Sequence, residues 1–417
     1  MTSEWREVRL GDLVDLLTGY PFQSKSYVED AFAPRLLRGD NVGPGSLRWE
    51  GVKRWPEQMA VDLNQYWLRE GDVVLAMDRP WIEAGLKYAS VRRSDLPSLL
   101  VQRVARLRGT TDLETSFLRY LIGSSAFTKH ILGVQTGTTV PHISPSQIKS
   151  FLFRLPPVQV QRAIAHILGT LDDKIDLLCR MNQTLEETAR MLFKSWFVRS
   201  LGANAKHLPI QTLLDAGMLQ IGDGYRAKNS EMASEGIPFA RAGNVNNGFR
   251  FDDEDLLGED AIRSARDKLS QAWDVVFTSK VTVGRFAVVY PTTRRFVYSP
   301  QLCFWRSLDH ERLNPMFLLC WMRSSAFIDQ VATVSGQTDM ALYVNLRDQR
   351  RMRIALPTPA AQREFGHTVR AIVERVEINE NQMATLAETR DTLLPKLLSG
   401  ALRIPDVERF LASEVRS

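Results

Sequence analysis

The sequence predicts an α+β chain built by internal duplication. Two mixed α/β domains are separated by an antiparallel two-helix coiled coil, and a pseudo-twofold axis relates the halves. Three observations carry this. Short motifs recur in the same order about half a chain apart. Two segments keep the apolar spacing of a coiled coil for more than four heptads. The stretches between them alternate short apolar runs with turn signals, as antiparallel strands do.

The repeat comes first, because a long-period repeat fixes the architecture before any local reading. "RGDNV" at 38–42 answers "RAGNV" at 241–245, and "GDVVLAM" at 71–77 answers "WDVVFTS" at 273–279. "SSAF" recurs unchanged at 124–127 and 324–327, "QTGTT" at 135–139 answers "VSGQT" at 334–338, and "LPPVQVQR" at 155–162 answers "LPTPAAQR" at 356–363. The offsets stay between 199 and 203 residues. The expected boundaries are 1–157 for the first domain, 158–199 for the first helix, 200–357 for the second domain, 358–400 for the second helix and 401–417 for a tail.

Within each domain, "DVVLAM", "DVVFTS" and "FAVVY" read as strands. A proline hinge follows ("LPPVQ", "LPTPA") and opens a long helix. In the first helix Ile164, Leu168, Leu171, Ile175, Leu178, Asn182, Leu185, Ala189, Leu192 and Trp196 step by 4 and 3 in alternation. The second gives Phe365, Val369, Ile372, Val376, Asn379, Met383, Leu386, Arg390, Leu393 and Leu397, with Pro395 expected to kink or end it. The plain alternative is one ordinary core helix per domain, but such helices rarely hold a strict seam this long.

If the helices pair antiparallel, a positions face d positions. Asn182 (an a site) then meets Asn379 (a d site) as the register-setting pair, with Leu178 on Met383, Leu185 on Val376, Trp196 on Phe365 and Ile164 on Leu397. A pair of helices of this length would span roughly 55 Å and act as a rigid spacer.

Composition bounds the function. Of 417 residues, 44% are hydrophobic and 24% charged, the profile of a globular protein. A net charge of +5 and a pI near 9.1 favour a polyanionic partner only mildly. Cys179, Cys303 and Cys320 make no CxxC pair, which suggests a reducing cytoplasm rather than a disulfide framework. No apolar run reaches membrane-spanning length, so no membrane partner is expected.

Catalytic motifs are missing. "NPMF" at 314–317 lacks the second proline of an amino-methyltransferase motif, and Asn314 capping a helix that starts at Pro315 explains it. "GDGY" at 222–225 is no dinucleotide fingerprint, no phosphate-binding loop exists, and "PDVER" at 405–409 lacks nuclease spacing. His166 and His367 are repeat equivalents on the helices, where surface or packing roles suffice. The chain reads as a non-enzyme.

The segments "LPPVQVQRAIAHILGTLDDKIDLLCRMNQTLEETARMLFKSWF" at 155–197 and "LPTPAAQREF…LLPKLLSGALRIP" at 356–405 resemble the central and distal regions of the specificity (S) subunits of type I restriction–modification systems. "GDVVLAM", "WDVVFTS" and the "TGTT" and "SGQT" loops are similar to landmarks of that family's target recognition domains. The resemblance implies that each α/β domain reads one half of a bipartite, asymmetric double-stranded DNA target. It implies that the helices set the unread spacer and dock two methyltransferase subunits, joined by translocase–nuclease subunits. S-adenosylmethionine, ATP and Mg2+ would then sit on those partners, with no cofactor in this chain.

Base reading calls for Arg, Lys, Asn, Gln and Thr on projecting loops. The repeat alignment nominates Arg38 and Asn41 with their mates Arg241 and Asn244, then Arg79, Lys87, Lys280 and Arg285 after the "DVV" strands. Gln135, Thr138, Thr139, Gln337 and Thr338 come from the glycine loops. Arg38, Asn41 and their mates could instead fix a turn. Outside the DNA reading, the alternatives are a coiled-coil scaffold with two ligand-binding domains, or a degenerate methyltransferase.

Overall fold

The computed structural model describes residues 5–137, 140–198, 207–245, 248–251, 255–280, 283–335 and 344–404. The chain divides into two compact units, Met1–Ile175 with Thr385–Ser417, and Asp176–Ala384.

The first unit opens with β1 (Arg6–Arg9) and β2 (Val14–Thr18), followed by β3 (Val73–Ala76), β4 (Tyr88–Ser90) and β5 (Val104–Gly109). Strands β2, β5, β3 and β4, in that order, make an antiparallel sheet, with Val73 opposite Leu107. All four residues of β3 are buried, because both faces of the sheet are covered. Val73 and Leu75 face a cluster with Phe117, Leu118 and Phe127, while Val74 and Ala76 face Leu37, Leu100 and Val104. A strand covered on both sides reads as an unbroken apolar run, as "DVVLAM" does. Helices α1 (Thr115–Ile122) and α2 (Ser125–Val134) follow. Then β6 (Leu152–Leu155) returns to pair with β1, Arg6 opposite Leu155, and delivers the chain to α3 (Val158–Phe193). A five-residue π turn, Lys194–Val198, extends α3.

The second unit repeats the plan. It includes β7 (His207–Pro209), β8 (Leu219–Asp223), β9 (Val275–Thr278), β10 (Phe286–Val288), β11 (Leu302–Ser307), α4 (Pro315–Met322), α5 (Ser325–Ser335) and β12 (Arg353–Ala355), and α6 (Pro359–Leu398) begins in it. Its sheet runs β8-β11-β9-β10, the same order, with Val275 opposite Trp305, and β7 pairs with β12. Asn314 caps α4 through its side-chain oxygen, which accepts the Met316 N–H at 2.9 Å, and Pro315 is the first helical residue. The "GDGY" stretch also finds its place. Gly224 passes so close to Ser299 that a Cβ would lie 2.1 Å from that residue's backbone, and Gly19 makes the same approach to Val101 at 2.2 Å. Only glycine fits either crossing.

One buried ion pair recurs in both sheets. Asp72 grips Arg108 with two contacts, one at 2.8 Å, and Asp274 grips Arg306 with two at 2.7 Å. The Tyr298 hydroxyl also donates to Asp274 at 2.7 Å, so the second carboxylate is enclosed and well satisfied.

The long helices run antiparallel in each unit. In the first unit Ile164, Leu168 and Leu171 of α3 share a core with Leu393 and Leu397 of α6, and Arg390 bonds Asp172 at 2.9 Å. In the second unit Trp196 and Phe365 stack edge-on at 5.9 Å, and Asn379 Nδ2 donates to Asn182 Oδ1 at 2.7 Å. Asn182 Nδ2 reaches the Val376 carbonyl at 3.4 Å, while the buried Asn379 Oδ1 has no partner. The two amides therefore share one layer without satisfying each other equally. Pro395 does not end α6, which continues to Leu398. Proline has no N–H to give the carbonyl one turn back, and Gly400, at a φ of 72°, closes the helix.

Candidate nucleic-acid interface

The loops at one end of each sheet are stitched together by backbone bonds. In the first unit the Met77 N–H donates to the Arg103 carbonyl at 2.8 Å, Ile143 N–H to Met77 at 2.9 Å, and Arg79 N–H to Pro141 at 2.7 Å. Thr136 and His142 exchange two backbone bonds, at 2.9 and 2.8 Å, which holds the loop that starts at Gln135. The Gly45 N–H bonds the Tyr88 carbonyl at 2.8 Å and joins the 38–48 turn to the same assembly. Arg38, Asn41, Arg79, Lys87 and Gln135 are thus on adjoining loops. The second unit repeats the stitching, with Ser279 N–H on the Gln301 carbonyl at 2.9 Å and Val344 N–H on Ser279 at 3.0 Å. The Gln301 side chain accepts the Ala242 N–H at 3.1 Å, so the turn holding Arg241 and Asn244 lies beside Lys280.

Side chains on these loops differ in what they can offer. Asn41 Oδ1 accepts the Arg38 N–H at 3.0 Å, and its Nδ2 donates to the Arg48 carbonyl at 3.0 Å. Asn244 does the same with Arg241 and Arg250, both at 2.8 Å. Both amides are engaged in shaping the turn, and the arginines at its start point outward. Arg38 is half-exposed with Asp40 at 3.6 Å, and Arg241 is half-exposed on Asp255. Arg79 is exposed and Gln135 half-buried. Lys87 is buried. Desolvation pulls its pKa below the usual lysine value, with Asp40 opposing and Arg79 adding to the shift. Lys280 is half-buried. Arg285 is exposed and lines a cavity of about 450 Å³ with Tyr290, Cys320 and Arg323. Thr138, Thr139, Gln337 and Thr338 lie outside the described residues.

Strain marks the same end of the first sheet. Arg79 and Arg103 have φ values of 44° and 69°, left-handed conformations that cost roughly 1–3 kcal/mol each and gather at functional sites. Arg103 and its repeat equivalent Gln301 join these loops without a sequence signal of their own. Each sits in a short link that leads into β5 or β11, outside every matched motif. Only aligning the strands themselves would have found the pair. Arg103 remains exposed beside Asp78, 3.2 Å away.

These features (cationic side chains on paired loop ends, held by rigid sheets) suit phosphate and base-edge contacts. Among the described residues, no helix is long and apolar enough to cross a membrane.

Residues 2–187 match the family model described as the type I restriction modification DNA specificity domain. The chain is 37% identical over 186 residues to the type I restriction enzyme EcoAI specificity subunit of Escherichia coli, covering 44% of this chain and 31% of that protein. It is 30% identical over 191 residues to the MjaVIII specificity subunit of Methanocaldococcus jannaschii, of which 44% is covered. These two alignments therefore span less than half of each relative. The MjaIX specificity subunit of the same archaeon aligns over 70% of both chains at 25% identity. The crystal structure of a type I restriction–modification S subunit from M. genitalium shares the fold, with a TM-score of 0.57 and 15% identity over 94% of this chain and 96% of that one.

Proposed function

We propose that the chain is a DNA specificity subunit of a type I restriction–modification system, and on that premise that each α/β domain reads one half of a bipartite DNA target. The observation that carries the reading is the duplicated loop end. Arg38 and Arg241 project from turns built by Asn41 and Asn244, and Arg103 and Gln301 occupy equivalent links. Two copies of one reader in a single chain match two half-sites on a duplex. The two domains carry different side chains at equivalent places, which supports an asymmetric target.

In this reading the chain makes no chemical step. Two methyltransferase subunits dock on the helical repeats and bring S-adenosylmethionine, and translocase–nuclease subunits bring ATP and Mg2+. The site of action is the cytoplasm. The test is a map of methylated adenines in cells with and without the gene. Loss of one bipartite motif is expected. An unchanged set of motifs would refute DNA specificity and leave the scaffold alternative standing.

A further inference from the structure

Each long helix begins with a glutamine enclosed by its own domain. Gln161 is 0% exposed and Gln362 is 1% exposed. The Gln161 Oε1 accepts the N–H of Glu114 at 2.9 Å, and its Nε2 donates to the carbonyls of Asp112 and Pro156, both at 2.9 Å. Gln362 repeats the pattern. Its Oε1 accepts the N–H of Asn314 at 3.0 Å, and its Nε2 donates to the carbonyls of Arg312 at 3.3 Å and Pro357 at 2.9 Å.

Glu114 and Asn314 are the capping residues of α1 and α4, and Pro156 and Pro357 belong to the hinges. One amide in each repeat therefore joins three pieces: the entry to a domain helix, the hinge, and the first turn of a long helix. The residue that follows is also repeated. Arg162 pairs with Glu114 at 2.6 Å and Arg363 with Glu311 at 3.2 Å, outside the buried amide. A glutamine side chain offers an acceptor and two donors, which suits one N–H and two carbonyls. Glutamate lacks the donors, and methionine lacks every polar group.

We propose that Gln161 and Gln362 are positioning residues. Each fixes the orientation of its recognition domain on the helix it begins, and through that the separation of the half-sites the protein accepts. The inference rests on the reading of the chain as a bipartite DNA reader. One added base pair displaces a half-site by about 3.4 Å and rotates it by roughly 35°. A reader held by three bonds rejects that displacement, and a reader on a loosened hinge follows it.

The test uses the assembled system in cells, with methylated adenines mapped for the wild-type chain and for Gln161→Met combined with Gln362→Met. Methionine keeps most of the packing volume and removes all the bonds. The expected result is unchanged half-site sequences, with methylation rising several-fold at sites whose spacer is one base pair longer or shorter. A folded variant with wild-type spacer fidelity overturns the inference alone, as does one that loses its half-site sequences. A wild-type chain that directs no bipartite motif removes the functional reading and this inference together. If the double variant fails to assemble, Gln362→Met alone and Arg162→Met with Arg363→Met decide by the same spacer readout, and fidelity unchanged in both overturns the inference.

Discussion

The asparagine layer makes a quantitative prediction that the pseudo-symmetry hides. By symmetry, replacing Asn182 or Asn379 with leucine would have equal effects. The hydrogen bonds are not equal. Asn379 donates to Asn182 Oδ1, Asn182 donates to a backbone carbonyl, and Asn379 Oδ1 bonds nothing. Asn379→Leu removes that orphan oxygen but orphans Asn182 Oδ1, so the two effects nearly offset. Asn182→Leu leaves both ends of the Asn379 amide buried without partners. Each newly orphaned buried group costs about 1–3 kcal/mol, so Asn182→Leu is expected to be the more destabilising by that amount. The double replacement removes every orphan and is expected to be the most stable of the three variants, with a coupling of about 2–6 kcal/mol, the cost of two orphaned groups. Hydrogen exchange of the Phe365–Ala384 backbone in the intact chain reads this locally, as a difference in opening constant of roughly 5- to 150-fold between the single variants. Equal exchange in the two singles, or a double variant weaker than either, would refute the reasoning.

Three further outcomes follow. Arg79→Ala is expected to weaken DNA binding and lower the slope of log affinity against log salt by about 0.9, the value for one lost phosphate contact; an unchanged salt titration removes Arg79 from the interface. Asp274→Asn strips the counter-charge from the buried Arg306 and is expected to cost about 3–5 kcal/mol, whereas Asp112→Asn, at an exposed pair with Arg6, should cost at most about 1 kcal/mol in the same denaturation series. Burial raises the Glu380 carboxyl to about 7, with Arg323 opposing and Glu186 assisting. Its folded pKa lies above the ordinary value of 4.5, so its ionisation penalises the folded state. Stability should fall as pH rises from about 4.5 to about 7 and then level, by about 3 kcal/mol at most. Glu380→Gln should flatten that part of the profile measured by thermal melting.

The seam of each helix was legible because its 4-and-3 spacing is a purely local signal, and that spacing also placed Asn182 opposite Asn379. The central strands were legible for a related reason, since a strand buried on both faces must be apolar throughout. Gln161 and Gln362 were not legible. A glutamine in the first turn of a helix looks like a solvated residue until the domain that covers it is in place. Asn41 and Asn244 stayed open between turn building and base reading because the same amide chemistry serves both. Lys87 stands among the nominated readers, and its burial is something a sequence window does not record. Pro395 suggested a stop, but it falls so near the end of α6 that a single missing bond is tolerated.

The antiparallel pairing also has a consequence for the order in which the protein is made. Leu393 and Leu397, buried in the core of the first unit, leave the ribosome after the whole of the second unit. Until they arrive, the side of Ile164, Leu168 and Leu171 that α6 covers stays open, although the domain's own strands were synthesised long before. A ribosome that stalls after Ala384 therefore releases a chain whose second unit is complete and whose first is not. The half made first is the half finished last, and apolar surface on a nascent chain marks it for chaperones and proteases.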